Sequence, residues 1–325
     1  MPLRIGDRNE SVREWRRVMN ARFGGLYTRL HGPLPEDTNE FGPRAAAWQM
    51  EYERRTHQIP DGVVSDDDLR ALRIPLPVDN RPWLFTVHGT GQPDPMGPGL
   101  PADTAKQVLD IYRWQPIGNY SAKAFPMWPS IMEAYNELVL QIDQKLSQDD
   151  SDFALAGYSQ GAVAVGQVLK HEIINPKGRL HKYLHRLKKV VFWGNPMRQK
   201  GIAHFDEWIH PVAGPDTMGI LEDRLENLEQ YDFEVRDYAH EGDMYASIKE
   251  DDMHEYQVAI GKIVMKATDF WSGPNSVVSQ LRELAARPLP EMIAMAFAMI
   301  DAMRFFVNLG VHGYNIGPAI AFLRS

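Results

Sequence analysis

The chain has 325 residues, 44% of them hydrophobic and 24% charged, an ordinary balance for a globular protein and a length that accommodates two domains. Its net charge of −8 argues against a nucleic-acid partner, because no basic field is present to displace counterions from phosphates. With no cysteine there is no thiol nucleophile, no disulfide framework and no Cys-based zinc site, and no cofactor or metal is expected.

The opening residues, Met1-Pro2-Leu3-Arg4-Ile5-Gly6-Asp7, hold no apolar run that would serve as a signal peptide. Residues 1–75 read as a small helical unit. Val12, Trp15, Val18 and Met19 recur at helical spacing, as do Ala45, Trp48, Gln49 and Tyr52. A third short helix is expected after Ser65, an N-cap placed before three aspartates that suit a helix N-terminus. Residues 1–77 carry 12 Arg, no Lys and 12 acidic side chains, so the whole negative charge lies further on. Ile74-Pro75-Leu76-Pro77 begins a stiff linker, taken as 76–82.

From residue 83 the pattern changes. Trp83-Leu84-Phe85-Thr86-Val87, Phe153-Ala154-Leu155-Ala156 and Val190-Val191-Phe192-Trp193 are short apolar runs, and Glu234 to Tyr238 is a weaker fourth. Helical stretches are expected near 104–113, 130–147, 161–174, 256–271, 276–287 and 290–308. Strands alternating with helices predict an α/β fold with a parallel sheet covered on both faces. The longest apolar stretch, Met292 to Ile300, is nine residues, well short of the about 20 that a membrane span needs.

Gly157-Tyr158-Ser159-Gln160-Gly161 stands between a predicted strand and a predicted helix. In that context G-x-S-x-G presents its serine on a sharp strand-to-helix turn, with a helix N-terminus aimed at developing negative charge. A glycine-rich turn with an ordinary serine is the bland alternative; the flanking elements favour Ser159 as a nucleophile. A serine needs a histidine base and an orienting carboxylate, which follow it in this fold in the order acid, then base. Asp243 comes after the fourth strand and is the first candidate acid, with Asp206 its rival. Three histidines follow the serine at suitable distances. His240 is only three residues before Asp243, His254 lies eleven after it, and His312 sits in the glycine-rich Gly310-Val311-His312-Gly313-Tyr314. His312 ranks first and His254 second. His88-Gly89-Thr90-Gly91, after the first strand, can supply one oxyanion donor at Thr90, with the Gln160 N–H as the other.

Four segments together resemble the lysin B enzymes of mycobacteriophages, which look like cutinases with extra helices. They are His88-Gly89-Thr90, the Gly-Tyr-Ser-Gln-Gly elbow, Gly194-Asn195-Pro196-Met197-Arg198-Gln199, and Gly242-Asp243-Met244-Tyr245-Ala246. The resemblance implies a cutinase-like α/β-hydrolase over residues 83–325 with a helical insertion at about 255–308. It implies an esterase that cuts the bond between mycolic acids and arabinogalactan, acting on lipid esters of the host envelope at lysis after synthesis in the host cytoplasm. The family's nucleophile, acid and base fall on Ser159, Asp243 and His312, and its helical insertion accounts for the 69 residues between the last two. Residues 1–75 resemble the three-helix peptidoglycan-binding modules of wall hydrolases through Leu3, Gly6-Asp7, Val12, Phe41-Gly42, Trp48-Gln49, Asp61-Gly62 and Leu69. In the insertion, Met295 and Met299 share a helical face and are candidates for contact with long acyl chains, a buried core helix being the alternative. A general cutinase or lipase, and a non-enzymatic wall-binding protein, are the other readings.

Overall fold

The computed structural model describes residues 2–76, 79–92, 94–249, 254–269, 273–283 and 310–325. The chain divides into two compact units, Met1–Asp79 and Asn80–Ser325.

The first unit is built on three helices, α1 (Glu10–His31), α2 (Pro43–Arg55) and α3 (Asp66–Leu72). Asn9 caps α1 by accepting the Val12 N–H at 3.1 Å. Ser65 and Asp68 form a reciprocal capping box on α3. The apolar positions spaced along α1 and α2 converge on a core of Val12, Trp15, Met19, Trp48 and Leu69, closed by Leu3 pairing with Val64.

The second unit is an α/β fold. Five strands form a parallel sheet in the order β2-β1-β3-β4-β6: β1 (Trp83–Val87), β2 (Arg113–Ile117), β3 (Phe153–Tyr158), β4 (Leu187–Trp193) and β6 (Glu234–Tyr238). The short strands β5 (Thr217–Met218) and β7 (Ile248–Lys249) pair antiparallel in a separate two-stranded sheet. Side chains alternate between the two faces, as strand geometry requires. Phe85, Val87, Phe153, Leu155, Val190 and Phe192 face the helices α5 (Met127–Leu146) and α6 (Gln160–Val168). Leu84, Ala154, Ala156, Val191 and Trp193 face α4 (Leu100–Lys106) and a helix over Gly317–Arg324. Residues buried on both sides explain why these strands read as continuous apolar runs.

Two differences from the sequence expectations stand out. The helix expected at 104–113 ends at Lys106, and Arg113–Ile117 is a strand. This strand lies at the edge of the sheet, where Pro116 removes no ladder bond that the fold needs and polar side chains stay half-exposed. The insertion contributes α7 (His254–Lys266) and α8 (Val277–Glu283), with Val258, Met265, Val277 and Leu281 in the main core. Among the described residues no helix is long and apolar enough to cross a membrane.

Candidate active site

The order of the sheet fixes where a site can form. The chain runs outward from β1 to β2, then returns to place β3 on the other side of β1. That reversal opens a crevice at the carboxyl ends of β1 and β3, where ligands bind in open α/β sheets. Ser159 follows the last residue of β3 directly, and His88 follows the last residue of β1.

Ser159 has φ 53° and ψ −117°, a left-handed conformation that a non-glycine residue adopts only under constraint. The constraint is visible. Its N–H donates to the Trp193 carbonyl at 3.0 Å, and its carbonyl accepts the Val163 N–H at 3.1 Å as α6 begins. Gly161 must lack a side chain, since a Cβ would lie 2.3 Å from the Val87 and His88 carbonyl oxygens. The start of α6 therefore packs directly on the end of β1, bringing residues 88–90 beside the serine.

The Ser159 Oγ–H donates to His312 Nε2 at 2.9 Å, and His312 Nδ1–H donates to Asp243 Oδ2 at 2.7 Å. All three residues are buried. Asp243 follows β6, and its Oδ1 accepts the backbone N–H groups of Tyr245 and Ala246 at 2.9 and 3.3 Å. The hydroxyl of Tyr314 donates to Asp243 Oδ2. Burial alone would raise the Asp243 carboxyl, but the electrostatic attraction of His312 and the bonds from His312, Tyr314 and the Tyr245 N–H hold it below the ordinary carboxylate value. Burial, reinforced by Asp243, pushes the Tyr314 phenol well up, so it stays a donor. The backbone around His312 is held as well, the Tyr158 hydroxyl donating to the His312 carbonyl at 2.9 Å.

No family model matches the sequence. The chain is 71% identical over 252 residues to endolysin B of Mycobacterium phage D29, a match covering 76% of this chain and 99% of that protein. The chain belongs to the lysin B family. Endolysin B of Mycobacterium phage L5 is likewise 71% identical over 251 residues, covering 75% of this chain and 99% of the other. The crystal structure of lysin B from mycobacteriophage D29 superposes with a TM-score of 0.69, covering 75% of this chain and all of that one. About a quarter of this lysin B chain lies outside these matches.

The lysin B fold thus brings Ser159, Asp243 and His312 together across 69 and 153 residues of sequence. The rival acid Asp206 lies instead against His240 at 2.9 Å. His254 is the first residue of α7, and its side chain lies outside the described residues. Met295 and Met299 also lie outside the described residues. Thr90 is buried in the turn after β1. Gln160 opens α6, its side-chain amide donating to the Lys123 carbonyl at 2.8 Å. His88 packs its ring 4.5 Å from Tyr120, and burial drives its pKa down to about 4, which leaves it neutral.

Sequence reasoning missed three residues of this lysin B site: Tyr314, Tyr158 and Gly194. Tyr158 and Tyr314 sit in quoted motifs but carry no signal that marks a hydroxyl as a partner of a distant loop. Gly194 lies under the His312 ring, with φ 54° and room for no Cβ.

Proposed function

We propose that the chain is a serine esterase that hydrolyses the ester bond between mycolic acids and arabinogalactan of the mycobacterial envelope during phage-induced lysis. The observation that carries the reaction class is the unbroken Ser159–His312–Asp243 hydrogen-bonded chain on a strained strand-to-helix turn. The substrate rests on membership of the lysin B family and on the Mycobacterium hosts named for its relatives.

In this reading His312 Nε2 takes the Ser159 Oγ proton as the oxygen attacks the ester carbonyl. Asp243 stabilises the imidazolium so formed. The backbone N–H groups of Thr90 and Gln160 receive the oxyanion, aided by the N-terminus of α6. The tetrahedral intermediate collapses when His312 returns the proton to the departing sugar alkoxide, leaving an acyl-serine. Water then attacks that acyl group, losing a proton to His312, and Ser159 recovers its own as the fatty acid leaves. No metal is required for any step. Residues 1–75 hold the enzyme on peptidoglycan, and Met295 and Met299, outside the described residues, are the side chains assigned to long acyl chains.

The test is incubation with purified mycolyl-arabinogalactan and mass analysis of the released lipid. Free mycolic acids should appear with the wild-type protein and not with Ser159→Ala. Turnover of p-nitrophenyl butyrate without mycolate release would leave a general cutinase-type esterase. Inertness toward both substrates would leave a wall-binding protein.

A further inference from the structure

The rival acid Asp206 and His240, the histidine only three residues before Asp243, form a second pair of their own. His240 and Asp206 are 1% and 0% exposed, with Nε2 and Oδ1 2.9 Å apart. The other ring nitrogen of His240, Nδ1, lies 2.8 Å from the Val311 carbonyl oxygen. A carbonyl can only accept, so Nδ1 carries a proton. Nε2 faces a carboxylate oxygen that already accepts the Trp208 N–H at 3.2 Å, and an imidazole is the stronger base. Nε2 therefore carries a proton as well, and the pair is an imidazolium against a carboxylate.

Among the described residues, every further side-chain hydrogen bond of this pair but the one from the Trp208 N–H goes to the loop that carries His312. His240 donates to Val311, one residue before the base. Asp206 Oδ2 accepts the Asn315 N–H at 2.8 Å, three residues after it. The imidazolium ring lies 4.3 Å from the Tyr314 ring at an interplanar angle of 20°, and Tyr314 is the residue that donates to Asp243. A buried ion pair contributes little net stability, since desolvation offsets its attraction, and the bonds of this one fall on the 311–315 loop.

We propose that Asp206 and His240 are positioning residues, a charged clamp that fixes the 311–315 loop and so holds the His312 ring in line with Ser159. The inference rests on the catalytic assignment above. Around His240 stand Asp206, the Val311 carbonyl, the Tyr314 ring and the His210 ring at 5.2 Å, with the charge of Asp243 beyond. Burial alone would lower the His240 imidazole, but its bonds to Asp206 and Val311 and the two negative charges push it above its ordinary value. A raised folded-state pKa means that the clamp is fully present below the unfolded value and is lost as pH rises through the folded one. On the alkaline side Nε2 loses its proton and its lone pair meets the Asp206 carboxylate.

Asp206→Asn separates charge from shape. The amide can donate to a neutral His240 and still accept the Asn315 N–H, whereas Asp206→Ala deletes both bonds. On p-nitrophenyl butyrate, Asp206→Ala should lower kcat about 100-fold with little change in KM, the cost of misplacing a catalytic group by roughly 1 Å. Asp206→Asn should recover most of that loss and lack the alkaline fall in kcat that the wild-type enzyme shows. Wild-type kcat in Asp206→Ala, or the same alkaline fall in Asp206→Asn, overturns the clamp. If Asp206→Ala does not fold, the pH profile of Asp206→Asn decides alone. Nitrogen-15 resonances of the His240 ring give a readout independent of turnover. Both nitrogens should be protonated at neutral pH, and a neutral tautomer there refutes the clamp. Turnover that survives Ser159→Ala would instead refute the catalytic assignment and leave this charge state standing.

Discussion

Gly194 is the position where the geometry of the base can be tested without touching any member of the hydrogen-bonded chain. It follows β4, donates its N–H to the Tyr238 carbonyl at 3.0 Å and has φ 54°. A Cβ placed there would stand 2.4 Å from His312 Cε1 and 2.8 Å from Nδ1, where ordinary contact begins near 3.4 Å. In Gly194→Ala the ring must therefore retreat by about 1 Å, a displacement of the size that costs about 100-fold when it moves a catalytic group. The 2.9 Å bond to Ser159 would lengthen beyond useful range. The left-handed backbone adds a stability cost of about 1–2 kcal/mol for an alanine. The assay is kcat/KM on a short p-nitrophenyl ester beside a thermal melt. A folded variant with wild-type kcat/KM, or one whose activity falls only in step with its unfolded fraction, would refute the argument.

Three further outcomes follow from the same site and from the two-unit architecture. Tyr314→Phe removes a charge-assisted donor to Asp243 and should lower kcat about tenfold, the scale of one such bond. That donor helps to depress Asp243, whose stabilisation is present above the ordinary carboxylate pKa and lost as pH falls through the folded-state value. Acid unfolding of Tyr314→Phe should therefore begin at a higher pH than in the wild-type protein, and an unchanged acid midpoint would contradict this. Deleting residues 1–79 should leave turnover of soluble esters near the wild-type level and weaken retention on isolated peptidoglycan, because a tethered binding module raises effective concentration at an insoluble surface. Equal retention of full-length and truncated protein would remove that role from the first unit.

Strands β1, β3 and β4 were legible because they are largely buried on both faces and so read as apolar runs; β1 coincides with its expected segment, β3 and β4 extend theirs by two and three residues, and the more polar, half-exposed β6 coincides with the weaker fourth. The elbow was legible because its glycines answer to close approaches, such as Gly161 against the end of β1, that recur wherever a serine is mounted on this turn. Strand β2 was not, since Arg113-Trp114-Gln115-Pro116-Ile117 owes its conformation to an edge position that only the assembled sheet defines. The pairing of acids with bases was also beyond local reading. Asp206 and Asp243 each have a histidine, but the partners lie 34 and 69 residues away, and spacing alone leaves both pairings open. The glycine-rich loop put His312 ahead of His254, and the helical insertion implied by the family resemblance supported that order. Tyr314 escaped notice because a phenol earns its role there from tertiary packing between Asp243 and His240.

The central claim is that Ser159 is an activated nucleophile, and a fluorophosphonate that mimics the ester tests it most directly. The reagent captures a serine only when a neighbouring base and oxyanion donors activate it. After reaction with the purified protein, peptide mass mapping should find one adduct, on the peptide holding Ser159. Ser159→Ala should take up no label and His312→Ala should label far more slowly. An adduct on another residue, or equal labelling of Ser159→Ala, would contradict the account.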